Sequence, residues 1–231
     1  MDYDIVAEKY ECYGNEAVTD WLLGYCNVLS FLKPLKKKVV LDYGCGTGKF
    51  CRFIRDRGAK VIGVDISKNM IRVAKKSGSE KIEYYVIKSG CLDFISSNSL
   101  DFAVINFVFC TISSSEEIKK IMHDINRCLK KNGKIIILDV NWEVSNGKEF
   151  ISFKMDKIKR LISGQRVGGL LKSKMPIRTE DYFWSKENHV SMLKKAGFKI
   201  SDIEEPLALD DSHEWINEKE FSPFLIIVAK K

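Results

Sequence analysis

Val39-Val-Leu-Asp-Tyr-Gly-Cys-Gly-Thr-Gly48 decides how this chain folds: a short apolar run passes directly into glycines at alternate positions. Seventeen residues after Gly48, a second apolar run, Lys60-Val-Ile-Gly-Val64, ends in Asp65. Glycines closing a buried parallel strand let a flexible, charged ligand lie against bare backbone, and an acid ending the next strand can accept hydrogen bonds from a ribose diol. The spacing also excludes two common nucleotide loops. The dinucleotide fingerprint needs Gly-x-Gly-x-x-Gly, whereas the third glycine here is Gly48 and Lys49 follows it. The phosphate loop needs glycine where Tyr43 stands and a hydroxyl where Phe50 stands, so nucleotide hydrolysis is not expected.

What remains, Asp42-x-Gly44-x-Gly46-x-Gly48 with Asp65 in register, resembles motif I and the following acid of the class I S-adenosylmethionine (SAM) dependent methyltransferases. The resemblance is strong over about residues 36–141 and moderate at the C-terminus. It implies that Asp42 and the backbone of Gly44, Gly46 and Gly48 hold the amino-acid end of SAM, and that Asp65 and Ile66 hold the ribose. It further implies that Met70 reaches over the adenine and that the Asn106-Phe107 loop passes beside the methionine part. Relatives place an adenine-reading acid after the third strand. This chain has Ser89-Gly90-Cys91, with Asp93 displaced, so adenine is assigned to the backbone of Gly90 and Cys91. The segment Tyr3-Asp4-x-x-Ala7-x-x-Tyr10 resembles the lid of small-molecule members, with Tyr10 either closing over the cofactor or packing as core.

Around this centre the hydrophobic pattern alternates between strand and helix. Helix is expected over 3–33, after the first strand to Gly58, from the Ser67 N-cap through Lys76 with Ser77-Gly78-Ser79 as its stop, and over 116–130. Strands are expected at 60–64, 82–87, 100–107 and 134–140. A helix at 186–196 and strands at 198–203 and 224–229 finish the chain. The alternation makes the fold class α/β with a doubly wound parallel sheet; the resemblance to class I methyltransferases implies a Rossmann-like sheet of seven strands, mostly parallel, with an antiparallel last strand. Along the chain, 1–33 reads as a helical lid, 36–141 as the SAM-binding core, 147–184 as a basic helical insertion or substrate cap, and 186–231 as the closing helix and strands.

Composition narrows the class. The 231 residues suit one domain. No apolar run of about 18 residues is present and the acidic N-terminus does not read as a signal peptide, so neither membrane nor export is expected. Seven cysteines without a Cys-x-x-Cys pair fit a reduced, cytoplasmic protein with no structural metal. Cys45 reads as a small filler between glycines. The net charge of +7 resides between Lys148 and Arg178, where nine Lys and Arg face only Glu149 and Asp156. Such a segment is either a solvated face or a means of steering an acidic partner.

The methyl acceptor is less legible. Asn106-Phe107-Val108-Phe109 is not the Asn/Asp-Pro-Pro-Tyr/Phe motif of enzymes that methylate base amino groups, and no Pro-Cys nucleophile occurs. Of three histidines, His123, on a helix away from the site, reads as structural or solvated, His189 is expected at the surface, and His213, in a C-terminal loop, is the candidate for a base. Asn141 and Trp142 after the fifth strand, with Arg178 and Tyr182 from the insertion, are expected to line the acceptor pocket. A basic cap over aromatic walls suits an acidic small-molecule or peptide acceptor, O-methylated at a carboxylate with S-adenosylhomocysteine (SAH) as co-product. A methyltransferase acting on RNA through the basic insertion, or a non-catalytic SAM-binding protein, is the alternative.

Overall fold

Alternate side chains along the central strands point to opposite faces of one sheet, and each face has its own core. The computed structural model describes residues 3–77 and 81–231; Gly78 and Ser79 of the expected helix stop lie outside them. The strands are β1 (Val39–Tyr43), β2 (Lys60–Asp65), β3 (Ile82–Val86), β4 (Leu100–Asn106), β5 (Leu129–Val140), β9 (Lys199–Glu204) and β10 (Phe224–Lys230). They lie in the order β3-β2-β1-β4-β5-β10-β9, parallel except that β10 runs antiparallel to both β5 and β9. This is the expected doubly wound sheet with its reversed last strand.

On one face Val40, Val104, Ile136 and Leu138 pack with Val28 of α2 (Cys26–Phe31) and Leu32 just after it, Phe50 and Ile54 of α3 (Lys49–Arg55) and Ala74 of α4 (Lys68–Ser77). On the other, Leu41, Ile105 and Ile137 pack with Ile121 and Ile125 of α5 (Ser115–Cys128) and Leu193 of α7 (Lys186–Lys195). Ser67 caps α4, its Oγ accepting from Met70 N at 3.1 Å. The N-terminal helical stretch is broken into α1 (Tyr3–Glu16), a π-helical turn (Asp20–Tyr25) and α2. Asp4 of α1 accepts from Asn69 N at 3.0 Å and so pins α1 to the start of α4.

The insertion corrects the sequence reading. A short helix α6 (Trp142–Ser145) is followed not by helices but by a three-stranded antiparallel sheet, β6 (Phe153–Met155), β7 (Arg166–Leu171) and β8 (Ile177–Tyr182). The charges suggested solvated helix, yet Ile177-Arg-Thr-Glu alternates buried and exposed with period two, the mark of a strand. Gly168 and Gly169 let the strands meet closely: a Cβ on either would come within 2.7 Å of a carbonyl oxygen, that of Thr179 or Lys154. Helix α5 also ends at Cys128, two residues early, because Leu129 already pairs with Leu100 of β4.

Candidate active site

Strand order reverses between β2-β1 and β4, and ligands of open parallel sheets bind beyond the carboxyl ends at such a point. A cavity lies there. Asp42, Gly44, Cys45, Gly46 and Thr47 form its floor after β1; Asp65, Ile66 and Met70 follow β2; Asn106, Phe107 and Val108 follow β4. Tyr10, Tyr13 and Asp20 close it from the N-terminal segment, and Phe153, Met155, Thr179 and Asp181 from the cap sheet.

Backbone geometry shapes the floor. Gly44 and Gly46 have φ of 73° and 52°, the left-handed region that side chains disfavour. A Cβ on Gly44 would collide with Val108, whereas one on Gly46 would meet nothing within 4 Å: its open side faces the cavity. Gly46 N donates to Asp65 Oδ2 at 2.9 Å, and Ser67 N to Asp65 Oδ1 at 2.8 Å. Phe107 holds a positive φ of 56°, uncommon for a bulky residue. Its ring is set edge-on against both Tyr25 and Phe224, and its backbone N donates to Leu138 O.

Carboxyl groups dominate the electrostatics. Burial pushes Asp42 up to about 7, against the hydrogen bond it accepts from Cys51 Sγ at 3.0 Å. Burial likewise raises Asp20 to about 7, and Asp181 to about 7. Several polar atoms at the cavity find no partner among the described residues: Asp20 Oδ1, both amide atoms of Asn106 and the indole Nε1 of Trp142. Buried polar atoms left unsatisfied in this way mark where a ligand's own polar groups belong.

The structure gathers most of the sequence-nominated residues. Tyr10, Asp42, Gly44, Gly46, Asp65, Ile66, Met70, Asn106, Phe107 and Trp142 line the cavity together. Gly48 stands behind the floor, against Tyr84. Gly90 and Cys91 lie off the lining, and Gly90 N donates to Tyr43 Oη at 2.8 Å; Ile87 and Ser89 take that wall instead.

The acceptor-side nominations fare worse. Arg178 is turned outward and ion-paired with Asp156, because alternation along β8 puts Arg178 on the solvent face and Thr179 on the inner one. Tyr182 pairs with Arg166 in the hairpin, Asn141 is buried, and neither lines the cavity. His213 is exposed, its ring tilted against that of Trp215 with Ser212 on its Nδ1, and is not part of the lining. His189, expected at the surface, is buried, its Nε2 3.2 Å from Asp139 Oδ2. Sequence reasoning missed Tyr13, Asp20 and Asp181. Asp181 sits in period with Ile177 and Thr179, so reading 177–182 as a strand finds it.

Comparisons with known proteins agree with this geometry. Residues 41–137 match the family described as methyltransferase domain. The chain is 28% identical over 169 residues to N-demethylindolmycin N-methyltransferase of Streptomyces griseus, covering 71% of each chain. It is 29% identical over 115 residues to the malonyl-[acyl-carrier protein] O-methyltransferase of Hamiltonella defensa, covering 47% of this chain and 40% of that one. In fold it resembles the crystal structure of an S-adenosylmethionine dependent methyltransferase from Mesorhizobium loti, with a TM-score of 0.68, 21% identity, and 93% and 98% of the two chains covered.

Proposed function

We propose that this chain, a class I S-adenosylmethionine-dependent methyltransferase, methylates a nitrogen of a small, partly apolar amine. The cofactor, when bound, supplies a methyl group on a cationic sulfur, open to in-line attack. Asp42, Asp65 and Met70, with the backbone at Gly44 and Gly46 and the Asn106 amide, are assigned to holding it. The orphaned Asn106 amide and the open face of Gly46 are what a polar ligand would fill.

One observation carries the choice of acceptor: the inner face of the cap presents a half-buried carboxyl, Asp181, to the cavity and turns its cations away. Arg166 pairs with Glu180, Lys172 with Glu149, and Arg178 with Asp156. Lys154, although at the cavity edge, has a largely exposed side chain that reaches Glu149 at 3.6 Å. The acidic acceptor inferred from net charge would thus face an acid. Amine chemistry suits what is there. An arriving ammonium is attracted by carboxylate, and a carboxyl titrating near 7 takes its proton at working pH, freeing the nitrogen lone pair. The aromatic walls Phe153, Trp142 and Phe224 exclude water and align the nitrogen with the transferred carbon. The N-methyltransferase relative supports this reading.

Replacing Asp181 by Asn removes the base but keeps the shape. Turnover of an amine substrate is expected to fall by about 100-fold or more, the usual scale for a general base, with SAH affinity unchanged. Undiminished turnover by Asp181→Asn would sink the assignment.

A carboxylate acceptor is the second reading. The O-methyltransferase relative favours it, as does the unpartnered Nε1–H of Trp142, a neutral donor for a carbonyl or carboxylate oxygen. The pairing of the cap's surface charges favours a small molecule over nucleic acid.

A further inference from the structure

Asp20 is the most conspicuous group that neither motif I nor the acceptor wall explains. It opens the π-helical turn and is only 7% exposed, yet it lines the cavity. Tyr13 Oη donates to its Oδ2 at 2.8 Å, while Oδ1 has no partner among the described residues. A buried carboxylate oxygen without a donor is costly unless a ligand supplies one.

The cation nearest in character is Lys49, which follows the glycine floor and also lines the cavity. Its Nζ donates to Asn15 Oδ1 at 3.1 Å and lies 5.3 Å from the Trp21 ring centroid, so it is held at the wall without pairing with Asp20. Each acts electrostatically on the other without forming an ion pair. An acid and a cation, separately held in the lining of the cavity whose floor is the glycine loop, match a ligand terminus that carries one charge of each sign.

We propose that Asp20 and Lys49 together read the zwitterionic amino-acid end of SAM, Asp20 Oδ1 accepting from the α-ammonium and Lys49 Nζ donating to the α-carboxylate. The N-terminal segment then does more than cover the site: it contributes a charged ligand contact that the glycine motif lacks. The assignment does not depend on which acceptor is methylated.

Isothermal titration with SAH, its deaminated analogue and its decarboxylated analogue tests it without any turnover. The expected pattern is selective: Asp20→Asn weakens SAH about tenfold or more but leaves the deaminated analogue within about twofold of its wild-type affinity, and Lys49→Met does the same for SAH and the decarboxylated analogue. Should Asp20→Asn fail to fold, Tyr13→Phe, which removes the donor that holds Asp20, must show the same selective loss. Wild-type affinity for SAH in these variants, or equal loss for all three ligands, overturns the proposal.

Discussion

Gly46 and Asp65 are joined by a 2.9 Å hydrogen bond from the Gly46 backbone N to Asp65 Oδ2, which ties the glycine floor after β1 to the end of β2. The same carboxylate accepts from Ser67 N, at the cap of α4. One side chain thus sets the loop under one part of the ligand while offering its remaining lone pairs to another. Asp65→Ala is expected to weaken SAH about 30-fold or more, since hydrogen bonds to a charged group contribute roughly 1.5–3 kcal/mol each. Calorimetric titration measures it, and a loss under threefold would contradict the assigned role.

The buried carboxyls make cofactor binding sensitive to pH. Burial raises Asp20 and Asp42 to about 7 in the free protein, with Asp65 also raised. The ligand's α-ammonium and ribose hydroxyls, which SAM and SAH share, favour the ionised forms, so binding lowers those values and releases protons. SAH affinity is therefore expected to fall as pH drops from 8 to 6, because protons then compete with the ligand. Titrations in two buffers of different ionisation enthalpy should show net proton release near pH 7; proton uptake would contradict the account.

The same groups cost stability in the free protein, with the opposite pH dependence. A carboxyl whose folded value is raised is protonated in the fold but ionised in the unfolded chain between about pH 4 and 7, so stability falls as pH rises through that window. At pH 8 the penalty from Asp42 approaches roughly 4 kcal/mol, at about 1.36 kcal/mol per pKa unit over about three units. Asp42→Asn is expected to raise the melting temperature of the free protein at pH 8, and much less at pH 4.5, while weakening SAH. Thermal melts at the two pH values check it; equal shifts at both would argue against the burial of an ionised Asp42.

The two floor glycines separate folding from binding. Gly44→Ala forces a left-handed φ and a clash with Val108, so it should destabilise by roughly 2–4 kcal/mol. Gly46→Ala meets no protein atom within 4 Å and costs only the backbone term, on the order of 1 kcal/mol. Its methyl instead occupies the ligand's space. Denaturant melts and SAH titration together should show Gly44→Ala losing stability and Gly46→Ala losing mainly affinity.

How much of this was legible depended on whether local pattern or tertiary placement decided the outcome. The strand-helix alternation and the cavity floor follow from short-range signals: apolar runs, glycines at alternate positions and an acid ending the second strand. The basic segment 147–184 reads as helical because its charge density hides the period-two alternation of 177–182, which alone shows that Arg178 faces solvent and Asp181 the cavity. Asp20 lies in an ordinary helical stretch, and only the approach of Tyr13 and Lys49 makes it part of the site. His189 reads as a surface residue until Asp139, fifty residues earlier, is placed beside it. The net charge does not name the acceptor, for a related reason. Sequence counts charges, but only the fold shows that Arg166, Lys172 and Arg178 pair on the outside of the cap.

The central claim is that the methyl group goes to nitrogen. Incubation with methyl-labelled SAM and a mixed panel of small amines and carboxylic acids, followed by mild alkaline treatment of the products, separates the possibilities directly, because methyl esters release labelled methanol and N-methyl groups do not. The account predicts a base-stable labelled product whose formation collapses in Asp181→Asn. Label released entirely as methanol would contradict it.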